Sequence, residues 1–173
     1  MISELSRAPL SKVCTVLSKY EVEYIIVGGT AVQYYGYHRP SSTTISKPEI
    51  DADLDFWYKP TNENFQRLIL ALDELKIDTS GLKELVFDPN KTFLRVPHEG
   101  FHTDFLPEMK GLAPFRECKK NAKGLELDAV TVHILSLEDL ILNKKAVNRA
   151  VDLSDAEELE KIRNNKRKKD RGL

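Results

Sequence analysis

Ala52-Asp53-Leu54-Asp55-Phe56-Trp57-Tyr58 is the stretch from which the rest of the chain is read. Apart from its two acids it has the apolar, aromatic composition of a buried strand. Side chains at i and i+2 of a strand share a face, so Asp53 and Asp55 aim the same way. Ionised acids so close repel, and unless a cation neutralises them one is driven toward protonation. A divalent metal is the economical remedy. Oxygen-only donors suit Mg²⁺ or Mn²⁺, ions that grip substrate phosphates as well as protein. Asp-x-Asp also arises by chance in turns and on solvated strands, so the pair needs support from elsewhere in the chain.

Two flanking stretches supply it. Upstream, Tyr24-Ile25-Ile26-Val27 is a short apolar run ending in Gly28-Gly29-Thr30, after which Ala31-Val32-Gln33-Tyr34-Tyr35 takes up helical spacing. The order is strand, glycine turn, helix start. Glycines there let the backbone approach a ligand, and the N–H groups and dipole of a helix start favour an anion such as phosphate. Downstream, Phe101-His102-Thr103-Asp104-Phe105-Leu106 is a second strand-like run, and its Asp104 can supply a third ligand. His102 shares a face with Asp104, and His38 stands beside Arg39. Both histidines are weaker candidates, because such a residue is more often an ordinary part of its strand or loop.

Further along, Leu135-Ser136-Leu137-Glu138-Asp139-Leu140-Ile141 predicts a last helix that begins near Ser136, an N-cap with Asp139 three residues on. Leu137, Leu140, Ile141 and Lys144 fall at i, i+3, i+4 and i+7, which puts Lys144 on the apolar stripe. A lysine there needs an anionic partner, a nucleotide phosphate or an active-site carboxylate, unless its stem carries the amine past the core to water.

A strand ending in Gly-Gly, a helix, a strand bearing Asp-x-Asp and a later strand with one more Asp resemble the nucleotidyltransferase superfamily of DNA polymerase beta, in its small stand-alone prokaryotic form. The Leu135–Ile141 stretch, followed by Lys144, Arg149, Asp152 and Asp155, is similar to that of nucleotidyltransferases associated with toxin-antitoxin and abortive-infection systems. The resemblance covers Val22 to Leu159. It implies an α/β (α+β) fold, a mixed sheet flanked by helices with further helices at the C-terminal end, over residues 1–163. It also implies metal-dependent transfer of an NMP from an NTP to a hydroxyl acceptor, which can be RNA, a protein or a small molecule. In the family's pattern Asp53 and Asp55 hold Mg²⁺ (or Mn²⁺), and Asp104 completes the metal site and helps activate the acceptor hydroxyl. Gly28, Gly29 and Thr30 cradle the triphosphate, with Arg39, Lys144 and Arg149 as further nucleotide contacts.

One departure from the pattern is the polar stretch Ser41 to Ile50, which is longer than the family usually places there and reads as a loop at the rim of the site. It brings Asp51 onto the face of Asp53 and Asp55. The Asp53/Asp55 pair is preferred, because Leu54 and Phe56 bracket Asp55 as a buried strand would, whereas Asp51 adjoins the loop. Two rival functions remain: a non-catalytic antitoxin-like or RNA-binding module that keeps the fold, and a glycosyltransferase using Asp-x-Asp to hold a sugar nucleotide. The second explains the acids but neither the Gly-Gly turn nor the C-terminal helix.

The remaining chain is compatible with one domain. With 173 residues, 41% of them hydrophobic, it can bury a real core. It has no apolar run of transmembrane length and no hydrophobic signal-peptide centre, so a cytoplasmic protein without a membrane partner is expected. Cys14 and Cys118 read as buried thiols. The spacing of Leu10, Val13, Leu17 and Tyr20 predicts a first helix after Pro9, and Phe65, Leu68, Ile69, Leu72 and Leu75 predict another, capped by Thr61 or Asn62. Lys91–Pro97 and Phe101–Leu106 form an expected hairpin, and Leu125–Leu127 and Val130–Ile134 two further short strands. The net charge of −1 is uneven: Lys161 to Leu173 carries seven basic residues against Asp170. A basic tail over residues 164–173 is either a solvated end or a contact for nucleic-acid phosphates.

Overall fold

The computed structural model describes residues 4–37 and 52–171; His38, Arg39, Asp51 and the inserted loop lie outside the described residues. Helix α1 (Glu4–Lys19) precedes β1 (Tyr24–Ile26), which runs directly into α2 (Gly28–Tyr35). Next come β2 (Ala52–Tyr58), α3 (Asn62–Glu74), the single turn α4 (Ser80–Lys83) and the hairpin of β3 (Leu94–His98) and β4 (Phe101–Leu106). Then α5 (Phe115–Asn121) leads to a second hairpin, β5 (Lys123–Leu127) and β6 (Val130–Ile134), followed by α6 (Leu137–Val147) and α7 (Ala150–Asp170).

The strands form one sheet in the order β3-β4-β2-β1-β6-β5. β2 runs parallel to β4 and β1 parallel to β6, while the other neighbours are antiparallel. Helices flank this mixed sheet, as the resemblance implies. Alternation along β2 sends Leu54, Phe56 and Tyr58 to one face and Asp53, Asp55 and Trp57 to the other. On the first face Phe56 stacks on Phe105 and meets the edge of Tyr24, and Tyr58 reaches Phe65 of α3. α1 packs against α3 and over β2 and β6. On the second face Trp57 meets the edge of Phe115 of α5 and donates its indole N–H to the Pro107 carbonyl at 3.1 Å.

Three local expectations change. α1 begins ahead of Pro9 and encloses it; a proline early in a helix forfeits one ladder donor where the ladder is only starting. β3 begins at Leu94, because Thr92 N–H bonds the Asp88 carbonyl and Phe93 N–H the Lys91 carbonyl, which holds 91–93 in a turn. The helix that begins near Ser136 is not the last: α7 follows it beyond Asn148, whose φ of 65° ends α6 in the left-handed region. Elsewhere the caps are as expected. Thr61 Oγ1 accepts the Asn64 N–H, and Ser136 Oγ accepts the Asp139 N–H at 3.1 Å while donating to the Asp139 carboxylate. Cys14 and Cys118 are buried free thiols. Among the described residues no helix is long and apolar enough to cross a membrane.

α7 passes residue 163 without a break. Its buried residues end at Leu159, beyond which Arg163 and Arg167 bind Glu138, and Lys166 lies 5.4 Å from the Tyr35 ring centre. The basic segment is therefore helical through Asp170 and touches α2 and α6.

Candidate active site

The site is built where β1 ends beside β2. Their antiparallel register carries Val27 to Asp55, and Val27 N–H donates to the Asp55 backbone carbonyl at 3.0 Å. The chain then turns at Gly28 with φ of 58°, a conformation that favours glycine. Space demands glycine as well, since a Cβ there would sit 1.9 Å from Asp55 Oδ2. The Gly29 N–H donates to that same oxygen at 3.2 Å. α2 makes its first internal bond from Ala31 N–H to the Val27 carbonyl, so the amides of Gly28, Gly29 and Thr30 precede the helical ladder. A Cβ on Gly29 would meet nothing within 4 Å. Among the described residues nothing crowds the Cβ position of Gly29, although its amide already serves a carboxylate.

The sheet register assembles the acids. In the parallel β2/β4 pair Asp55 lies beside Asp104, and Asp53 beside His102. In the β3/β4 hairpin Arg95 lies opposite Asp104. Arg95, Asp104 and Asp55 therefore form a row across three adjacent strands, on the face that also carries Asp53. Arg95 reaches two of the acids: its Nη2 is 3.2 Å from Asp53 Oδ1 and its Nη1 3.7 Å from Asp104 Oδ2.

The electrostatics follow from this crowding. Burial, with the charges of Asp104 and Asp53 adding to it, pushes the Asp55 carboxyl up to about 6, against the Gly29 hydrogen bond and the charge of Lys144. Asp104 is also held above its ordinary range, chiefly by burial, with Arg95 opposing. Its Oδ1 is buried and has no hydrogen-bond partner among the described residues. As the side chains stand, no three Asp, Glu, His or Cys groups among the described residues are arranged to hold a metal ion; Arg95 occupies the gap between two of the acids.

Lys144 lies on the inward stripe of α6, 5% exposed, with its amine 2.9 Å from Asp152 and 2.8 Å from Asp155 of α7. Its partners are thus carboxylates of the neighbouring helix. Arg149, just after the αL break, grips Asp152 with Nε and Nη2 and leaves most of its side chain exposed. Burial pushes Asp152 up, but the hydrogen bonds from Arg149 and Lys144 outweigh it and hold this carboxyl below its usual value. The Tyr35 hydroxyl donates to the Leu135 carbonyl at 2.8 Å and ties α2 to the chain just ahead of α6.

A family whose description reads "Nucleotidyl transferase of unknown function (DUF2204)" matches residues 6–172. The chain belongs to that family. Two solved structures share the nucleotidyltransferase fold. The lincosamide antibiotic adenylyltransferase LnuA, lincomycin-bound, is similar at 17% identity and a TM-score of 0.58, over 93% of this chain and 98% of its own. The antibiotic-resistance factor ANT(2'')-Ia is similar at 13% identity and a TM-score of 0.52, over 98% of this chain and 95% of its own. No curated protein matches the chain.

Of the residues expected to form the site of this nucleotidyl transferase, Asp53, Asp55 and Asp104 come together on one sheet face, with Gly28 and Gly29 against Asp55. Thr30 is buried in the first turn of α2. Lys144 and Arg149 form a separate ionic cluster whose charge bears on Asp55. Arg95 is the residue that sequence reasoning missed. A signal was available: a two-residue turn at Glu99-Gly100 pairs positions whose numbers sum to 199, which sets Arg95 opposite Asp104.

Proposed function

We propose that this protein is a metal-dependent nucleotidyltransferase that moves an NMP from an NTP to the hydroxyl of an acceptor. The observation that carries the reading is the register of Asp55 beside Asp104 on parallel strands, with Asp53 on the same face and the Gly28-Gly29 turn against Asp55. The donor set fits a hard divalent cation, Mg²⁺ or Mn²⁺: all ligands are carboxylate oxygens, one of them buried without a partner, and their mutual repulsion is left partly unrelieved. Asp53, Asp55 and Asp104 would hold it. Such an ion, when bound, neutralises phosphate charge and steadies the attacking and leaving oxygens.

The protein's own groups then bind and orient. Open space before Gly29 admits a phosphate to the amides that start α2. The exposed face of Arg149, held by Asp152, offers donors to the triphosphate, while Lys144 supplies positive potential to Asp55 from inside the fold. Asp104 takes the proton of the acceptor hydroxyl as that oxygen attacks the α-phosphorus and pyrophosphate departs. That the fold neighbours are antibiotic-directed enzymes supports a small hydroxyl-bearing molecule as one acceptor class. Incubation with each α-labelled NTP, Mg²⁺ or Mn²⁺ and a cell extract should transfer label to an acceptor, and a chelator should stop it; label that stays with the nucleotide under all conditions contradicts the proposal.

A second reading, a non-catalytic module that keeps the fold, draws on Arg95. An arginine bridging Asp53 and Asp104 is what a site that never receives a cation would retain.

A further inference from the structure

We propose that Arg95 is the resident counter-ion of the acid cluster, competing with a divalent cation for Asp53 and Asp104 and so setting how tightly the site takes up metal. The inference rests on the reading of Asp53, Asp55 and Asp104 as cation ligands.

Three carboxylates on one face of adjacent strands need a neutralising charge whether or not metal is bound. Lys144 and Arg95 serve them in different ways. Lys144 is 5% exposed and fixed between Asp152 and Asp155, so it can raise the local potential but cannot leave. Arg95 stands on the edge strand β3 with 52% of its side chain exposed, and reaches Asp53 at 3.2 Å and Asp104 at 3.7 Å. Its long stem has open solvent to withdraw into. Half-exposed ion pairs of this kind each shift an equilibrium by about 1.4- to fivefold, which is weak enough for a doubly charged ion to displace. While Arg95 stays in place, it occupies the gap in which Asp53 and Asp104 would share a cation.

The test uses Mn²⁺ alone, titrated into the whole protein and followed by the paramagnetic resonance of free Mn²⁺, with metal-free melting temperatures beside it. Arg95→Gln should bind Mn²⁺ about three- to tenfold more tightly than the wild type. Its metal-free melting temperature should fall, because acid repulsion is unmasked, and Mn²⁺ should raise that temperature by more than it does in the wild type. Arg95→Lys keeps a cation and the fold, and should return the affinity toward the wild-type value. Saturable wild-type binding with equal or weaker affinity in Arg95→Gln overturns the counter-ion role and leaves the metal site standing. No saturable Mn²⁺ binding in either protein overturns the metal site, and this proposal with it.

Discussion

A methyl group on Gly28 would stand 1.9 Å from the Asp55 carboxylate, while Gly29, one residue on, has nothing within 4 Å of the same position and donates its N–H to that carboxylate. The two glycines therefore have different duties. Gly28→Ala should cost roughly 1–2 kcal/mol from its left-handed backbone alone, and more from the collision, and should push Asp55 out of line. Gly29→Ala should leave thermal stability unchanged or slightly raised, yet obstruct a phosphate at the turn. Melting curves and NTP titrations of both variants check this: equal loss of stability in the two would contradict the division.

Asp55 makes the metal-free protein sensitive to pH in a definite direction. Burial, with the neighbouring carboxylates, pushes its folded carboxyl up to about 6, well above the ordinary range near 4. A group raised in the fold contributes stability that is present below about 4 and lost as pH rises through 6. Asp152, Asp73 and Glu74, all held low by hydrogen bonds that include one from a basic partner, contribute the opposite trend. The difference between wild type and Asp55→Asn isolates the Asp55 contribution. In chelator, Asp55→Asn should be more stable at pH 7.5 by on the order of 1–3 kcal/mol, and the gap should close by pH 4. A gap that does not change with pH would show that the carboxyl is not raised.

The Lys144 cluster is a buried ionic network, where removing one partner costs more than removing two. Lys144→Met keeps the helix and the length of the side chain but takes a buried cation from between Asp152 and Asp155, at a cost of about 3–5 kcal/mol. Asp152 retains Arg149. Adding Asp155→Asn to Lys144→Met should therefore recover part of that loss, as measured by chemical denaturation. Additive losses would mean that the two side chains are not coupled.

How much of this was legible in the sequence depends on the range of the interaction. Period-two alternation in Asp53-Leu54-Asp55-Phe56 and His102-Thr103-Asp104-Phe105 already put the acids on one face of each strand. The Gly-Gly turn and the Ser136 cap are local chemistry and could be read directly. The stripe that placed Lys144 inward was legible too, and the need for an anion with it. Which anion was not, because Asp152 and Asp155 reach it only after the reversal at Asn148, and an αL asparagine has no strong sequence signature. Arg95 was missed for a related reason. Its role depends on β4 lying between β3 and β2, and alternation within a strand says nothing about strand order.

The basic end of α7 lies beyond its last buried residues, and its ion pairs are exposed, so removing residues 164–173 should change the melting temperature little. A large drop would mean that the Lys166–Tyr35 contact helps to hold α2 in place.

The most direct test is label transfer from an α-labelled NTP by wild type, Asp53→Asn, Asp55→Asn and Asp104→Asn, each checked for folding by circular dichroism. A shared carboxylate site predicts transfer in the wild type that needs Mg²⁺ or Mn²⁺ and falls by about a hundredfold or more in every variant. Transfer at the wild-type rate by folded Asp55→Asn would contradict it.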